Sequence, residues 1–142
     1  MDVADEAGQR TALRSMLTTV LAAALVALPA GAALAHAKLL RAQPAPGAKV
    51  TIAPTTVRVW FKLAAGEELD ASKSLLSIWN AAGKRVDDGK GGVDLKDLDR
   101  LSMVARLKPL KPGTYTVKWK AVSDPDGGVA RGSFTFTVLR KP

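Results

Sequence analysis

Between Val57 and Leu63 the chain alternates, with Val57, Val59, Phe61 and Leu63 on one side of an extended segment. The same period of two recurs in TYTVKWKAV. There Tyr115, Val117, Trp119 and Ala121 share one face, and Thr114, Thr116, Lys118 and Lys120 share the other. It returns once more where Phe134, Phe136 and Val138 alternate with Thr135 and Thr137. A period of two with one apolar face is the mark of an antiparallel strand packed on a core on one side and wetted on the other. Leu75–Trp79 and Leu101–Leu107 are further strands with less regular alternation, and Lys38–Arg41 reads as an edge strand. Turn-forming residues separate these runs: PAPG at 44–47, Ala53-Pro54, Ala82-Gly83-Lys84, GKGG at 89–92 and Lys111-Pro112-Gly113. Only Glu67–Ser74 and Asp94–Arg100 have room for a helical turn. Short strands at roughly 8–12-residue spacing predict an all-β fold, an antiparallel, Ig-like or Greek-key β-sandwich of about seven strands.

The first 35 residues do not share this pattern. Arg10 and Arg14 precede an apolar run, Leu17–Leu28, and Ala33-Leu34-Ala35 supplies small residues before a cut. That order of basic, apolar and small segments predicts a secretory signal peptide over 1–35. The run is short for a membrane span, which takes about 20 apolar residues. An uncleaved anchor is the alternative. Cleavage after Ala35 leaves residues 36–142 as one β-sandwich domain with no membrane insertion, while Ala35-His36-Ala37 offers a second cut after Ala37.

The whole chain has 21 basic and 13 acidic residues. Two and three of these lie in the leader, so the mature part keeps 19 and 10, a net of +9. The cations are spread along the chain rather than clustered, which argues for a solvated basic surface and against a nucleic-acid partner. There are no cysteines and a single histidine. Thiol nucleophiles, zinc–thiolate sites and HExxH motifs are excluded by inventory, and no phosphate-binding glycine motif occurs. The chain is read as a non-enzyme. Asp94, Asp97 and Asp99 lack the glycine and terminal glutamate of a calcium loop and read as a solvated loop.

The single histidine, His36, becomes the first residue if the leader is cut after Ala35. A free terminal amine beside an imidazole closes a chelate ring on one metal ion, and nitrogen donors in a tetragonal arrangement favour Cu(II). The second segment of interest is SDPDGGVARGSF, Ser123–Phe134, between two strong strands. It carries Asp124, Asp126, Pro125 and three glycines. On residues alone it is either half of a site or a tight connection.

Three stretches together resemble a known family: AHAKLLRAQPAPGAKV, APTTVRVWFKLAAGEEL and LKPLKPGTYTVKWKAVSDPDGGVARGSFTFTV. They are similar to the CopC-type copper resistance proteins, exported β-sandwiches that bind copper in the bacterial periplasm. The resemblance covers essentially the whole mature region, and its last stretch is the specific one. It implies a Cu(II) site made of the terminal amine and imidazole of His36, an aspartate, and a second histidine two residues after it. Counting back from Gly132 and Phe134, the aspartate is Asp126. Counting forward from Ser123, the loop is one residue longer than usual and Asp124 competes. The second histidine is replaced by Gly128, and Val129 stands for the proline after it. The site is therefore degenerate and its copper binding weakened.

The family's methionine-rich Cu(I) segment is also absent, since Met103 is the only methionine after the leader and reads as core. A copper oxidase of the N-terminal-histidine type would need the missing imidazole. The expected function is a monomeric periplasmic Cu(II) carrier or buffer in copper resistance and homeostasis. The alternative is a sandwich that has lost copper and serves as an interaction module for an inner-membrane copper-uptake protein.

Overall fold

The computed structural model describes residues 37–142. The predicted leader and His36 lie outside the described residues.

The alternating segments form the long strands of two sheets. β1 (Lys38–Gln43), β3 (Thr56–Lys62), β7 (Ser102–Arg106) and β6 (Gly92–Val93) make one sheet in the order β1-β3-β7-β6. The other is β2 (Lys49–Val50), β9 (Val129–Val138), β8 (Gly113–Asp124) and β4 (Glu68–Leu69), with β5 (Leu75–Asn80) also paired to β8. All pairings are antiparallel except β2 with β9. The all-β sandwich expected from the sequence is what forms. The described residues hold nine strands rather than about seven, six of five residues or more and three two-residue pieces, β2, β4 and β6.

The core lies where the inward rows of the two sheets meet. Val57, Val59, Phe61, Met103 and Ala105 come from one sheet, and Leu76, Ile78, Tyr115, Val117, Ala121, Phe136 and Val138 from the other. Full burial of one such side chain is worth about 1.5–3 kcal/mol. Phe61 meets the Trp119 indole edge-on at 5.1 Å between centroids, and Tyr115 stacks on Phe136 at 5.5 Å. Tyr115 closes its corner by donating its hydroxyl to the Lys111 carbonyl at 2.6 Å. Met103 is completely buried, in agreement with its reading as core.

One carboxylate is built into this core. The Asp87 side chain is fully buried and accepts the Ile78 amide at 2.8 Å, the Gly89 amide at 2.8 Å and the Arg85 Nε at 2.9 Å. Burial alone would raise its pKa, but hydrogen bonds from Arg85, Ile78 and Gly89 outweigh it and hold the group below the ordinary carboxylate range.

The two segments with room for helix differ from each other. Asp70–Ser74 makes a single turn, Ser74 N to Asp70 O at 2.9 Å, capped by Asp70 Oδ1 accepting the Ser72 amide. Asp94–Arg100 makes two successive reverse turns and no helix. Its aspartates are not simply solvated. Asp94 is buried, accepts the Lys96 amide and is ion-paired with Arg58. Asp97 accepts the amides of Asp99 and Leu101 and the Ser102 hydroxyl. Side chains that take nearby amides in this way compete with helix formation.

Candidate functional site

Residues 123–128 comprise the last two residues of β8 and the turn that joins it to β9. Pairing of the two strands runs to Val122 and Val129. The turn is closed by Ser123 N to Gly128 O at 2.9 Å and Gly127 N to Ser123 O at 2.8 Å. The peptide bond between Asp124 and Pro125 is cis. Gly127 takes a φ of +74°, a left-handed conformation that a side chain would disfavour, whereas Gly128 takes no positive φ.

The two candidate aspartates occupy different settings. Asp124 is the last residue of β8, exposed, and paired in register with Glu68 of β4. Asp126 lies at the tip of the turn, and its Oδ1 accepts the Ser123 hydroxyl at 2.8 Å and the Gly128 amide at 3.0 Å. Two donors on one oxygen hold the carboxylate in a single orientation. Ser123 is completely buried. It continues the inward row Tyr115, Val117, Trp119, Ala121 by one more step of two, so the sequence carried a signal for it: a hydroxyl at the end of an apolar row.

The topology gathers several segments at this end of the sandwich. β1 begins here, because Lys38 pairs with Lys62 at the end of β3. Ala37, the first described residue, is buried in the core cluster. His36 precedes it in sequence. The β3–β4 connection follows, and β4 pairs with the end of β8 through Glu68–Asp124 and Leu69–Ser123. The β6–β7 loop arrives as well, with Phe61 N bonded to Leu101 O and Leu69 N to Arg100 O. Eight of the ten carboxylates that follow residue 36 lie in these segments: Glu67, Glu68, Asp70, Asp94, Asp97, Asp99, Asp124 and Asp126. Of these, Asp94 has its pKa lowered chiefly by the hydrogen bond from Arg58, with help from the Lys96 amide. Asp70 is lowered by its hydrogen bonds to Ser72. Glu67 was not singled out by sequence reasoning, yet its Oε2 is sealed from solvent in the β3–β4 connection.

Among the described residues no cluster of three or more histidine, cysteine, aspartate and glutamate side chains is arranged to hold a metal. The only histidine of the chain lies outside them. Among the described residues no helix is long and apolar enough to cross a membrane.

Comparison with known proteins bears on the same region. A family model for the CopC domain matches residues 39–139, a span that includes both Asp124 and Asp126. The Copper resistance protein C of Xanthomonas campestris pv. juglandis is 34% identical over 135 aligned residues, covering 89% of this chain and 98% of that protein. Protein YobA of Escherichia coli is 34% identical over 104 residues, covering 73% of this chain and 79% of the relative. Among solved structures, CopC from Methylosinus trichosporium OB3b superposes with a TM-score of 0.62 at 27% identity, over 73% of this chain and 94% of that one. PcoC, described as a methionine-rich copper resistance protein from Escherichia coli, gives 0.58 at 29% identity, over 73% of this chain and 99% of its own. With the match running through every long strand and the closing turn, the chain belongs to the CopC domain family.

Proposed function

We propose that this protein is an exported Cu(II) carrier or buffer of copper resistance and homeostasis, acting as a monomer in the periplasm and without catalysis. Removal of residues 1–35 frees the amine of His36, which chelates Cu(II) together with its own imidazole. Asp126 supplies a carboxylate, and water or a backbone group completes the tetragonal set. The observation that carries this is the fold's convergence of the β1 start and the β8–β9 turn at one end, with Asp126 already oriented by Ser123 and Gly128. The donor set is nitrogen and oxygen, which suits Cu(II). Cu(I) finds no thioether here, because Met103 is enclosed in the core. A second imidazole is missing at Gly128, so the affinity is below that of a site with two. Loss of a partner to a metal ligand alone commonly costs about 10–100-fold.

A second reading is favoured by the same turn. Asp126 Oδ1 is engaged in closing it, which a turn needs whether or not a metal is bound. On that reading the domain has lost copper and docks to an inner-membrane copper-uptake protein. The experiment that separates the two is a Cu(II) titration of protein exported through its own leader, with the N-terminus read by intact mass. Tryptophan emission is followed against a competing chelator, beside His36→Ala. One-to-one binding lost in the variant supports chelation. No binding above the variant, with His36 confirmed as residue one, supports the docking module.

A further inference from the structure

The opposite end of the sandwich holds a groove of about 490 Å³. One wall is the turn after β5, from Asn80 to Val86, and the other is the segment 108–114 that leads into β8. Both walls are fastened. Asn80 N bonds to Lys84 O at 2.9 Å, Lys84 N to Asn80 Oδ1 at 2.9 Å, and Lys108 N to Val86 O at 2.9 Å. The groove is therefore a preformed feature of hydrogen-bonded backbone.

Its chemistry is mixed in one particular way. Lys84, Lys108 and Lys111 line it and are exposed, and no aspartate or glutamate does. Among the described residues no ion pair engages those three lysines, whereas Arg85, also in the lining, is held by Asp87. Between the cations lie Val86, Leu110 and Pro112, and Val86 and Leu110 pack directly on the core. A neighbouring depression shares Leu110 and Pro112 and adds Arg140 and Lys141. Uncompensated like charges around an apolar floor are unfavourable in isolation and become favourable when an anionic, partly apolar surface covers them. An inorganic anion would use the lysines and gain nothing from the floor. A flat lipid surface would not enter the concavity.

We propose that this groove is a docking site for an extended acidic segment of a protein partner, carboxylates toward Lys84, Lys108 and Lys111 and an apolar side chain on Leu110 and Val86. β8 spans 12 residues between the groove and the 123–128 turn, so the two ends are roughly 35–40 Å apart. A partner held at the groove leaves the other end open. The proposal stands independently of whether copper binds there.

The test measures fluorescence anisotropy of a short labelled peptide that alternates acidic residues with leucine, on mature protein. Companion probes are the same peptide with leucines replaced by glycine, inorganic phosphate as competitor, and phosphatidylglycerol vesicles. Charge reversal in the groove, Lys84→Glu with Lys108→Glu and Lys111→Glu, is expected to weaken the leucine peptide by more than about tenfold, since like charges then face each other. An equal reversal on the outer face of the other sheet end, Lys118→Glu with Lys120→Glu and Arg131→Glu, is expected to change it by less than about threefold through screened long-range charge alone. On wild type, amide shifts on peptide addition should fall within 80–86 and 108–114. Equal loss in both triples, equal binding of the glycine peptide, phosphate displacing the peptide at comparable concentration, or vesicle binding without peptide binding would each overturn the proposal.

Discussion

Substituting Ser123 with alanine separates the two candidate ligands. The Ser123 hydroxyl is completely buried and donates to Asp126 Oδ1 at 2.8 Å, with the Gly128 carbonyl at 3.3 Å as a second acceptor. Alanine fills nearly the same volume, so packing is preserved and the change is confined to these contacts. A hydrogen bond to a charged group is worth about 1.5–3 kcal/mol, and an exposed carboxylate belongs at the low end, about 1.5 kcal/mol. For a domain of this size that corresponds to a fall in Tm of roughly 6–12 °C. Asp126 loses one of the two donors that hold Oδ1 and keeps the Gly128 amide, so its orientation relaxes. If Asp126 coordinates Cu(II), affinity falls about 10–100-fold, as for loss of other ligand-orienting partners. If Asp124 coordinates, the strand pairing of Asp124 with Glu68 is untouched and copper affinity stays as it was. The assay is a chelator competition with mature protein, run beside calorimetric melting of the metal-free form. A lowered Tm with unchanged copper affinity would refute the assignment to Asp126. An unchanged Tm would refute the structural role given to Ser123.

Three further outcomes follow from the geometry. Gly128→His puts an imidazole two residues after Asp126, where the resemblance with Asp126 as ligand implies one; Gly128 uses only backbone groups in the turn and has no positive φ, so the variant is expected to fold and, on that proposal, to bind Cu(II) at least about tenfold tighter by the same competition, a second nitrogen donor being what Cu(II) favours. Asp87→Asn sets an amide N–H against donors it cannot accept, and should cost about 2–4 kcal/mol at neutral pH in urea unfolding. Because the folded pKa of Asp87 lies below its unfolded value, its stabilisation is fully present above the ordinary carboxylate range and is lost as pH falls through the folded value, so the gap between wild type and variant should close in acid. Gly132→Val would bring a Cβ within 2.7 Å of Trp119 Cε2 in a core whose indole already meets Phe61; overpacking of about 1–3 kcal/mol and a shifted tryptophan emission maximum are expected.

The long strands were legible because their burial alternates within the strand itself. Val57, Val59 and Phe61 need no knowledge of a partner to be read as one face. β2, β4 and β6 were not legible, since each is two residues whose extended shape exists only through pairing with β9, β8 and β7. Asp94–Arg100 lost its chance of helix to Asp94 and Asp97, whose carboxylates take amides two residues ahead. The candidate site divides in the same way. Asp126 could be picked from the chain, but which of its atoms the turn engages could not. Ser123 was missed although the inward row of β8 led straight to it. The groove was invisible because Lys84 and Lys111 are far apart in sequence and meet only through the pairing of Asn80 with Tyr115.

That pairing also revises what the net charge of +9 means. Spread evenly, nine excess cations would oppose capture of a metal cation anywhere on the surface. The carboxylates, by contrast, are not spread evenly. Eight of the ten that follow residue 36 lie in the segments gathered at the end of the sandwich that carries the 123–128 turn, several of them paired locally, as Arg100 with Glu68 and Lys73 with Asp70. Three lysines with no ion pair among the described residues, Lys84, Lys108 and Lys111, line the groove at the far end of β8. Screening at physiological ionic strength acts over about 8 Å, a small fraction of the strand length that separates the ends. The basic groove therefore neither repels a cation from the turn nor feels one that binds there. A strongly basic chain can in this way offer a cation one end and an acidic partner the other, with β8 and β9 as the rigid spacer between them.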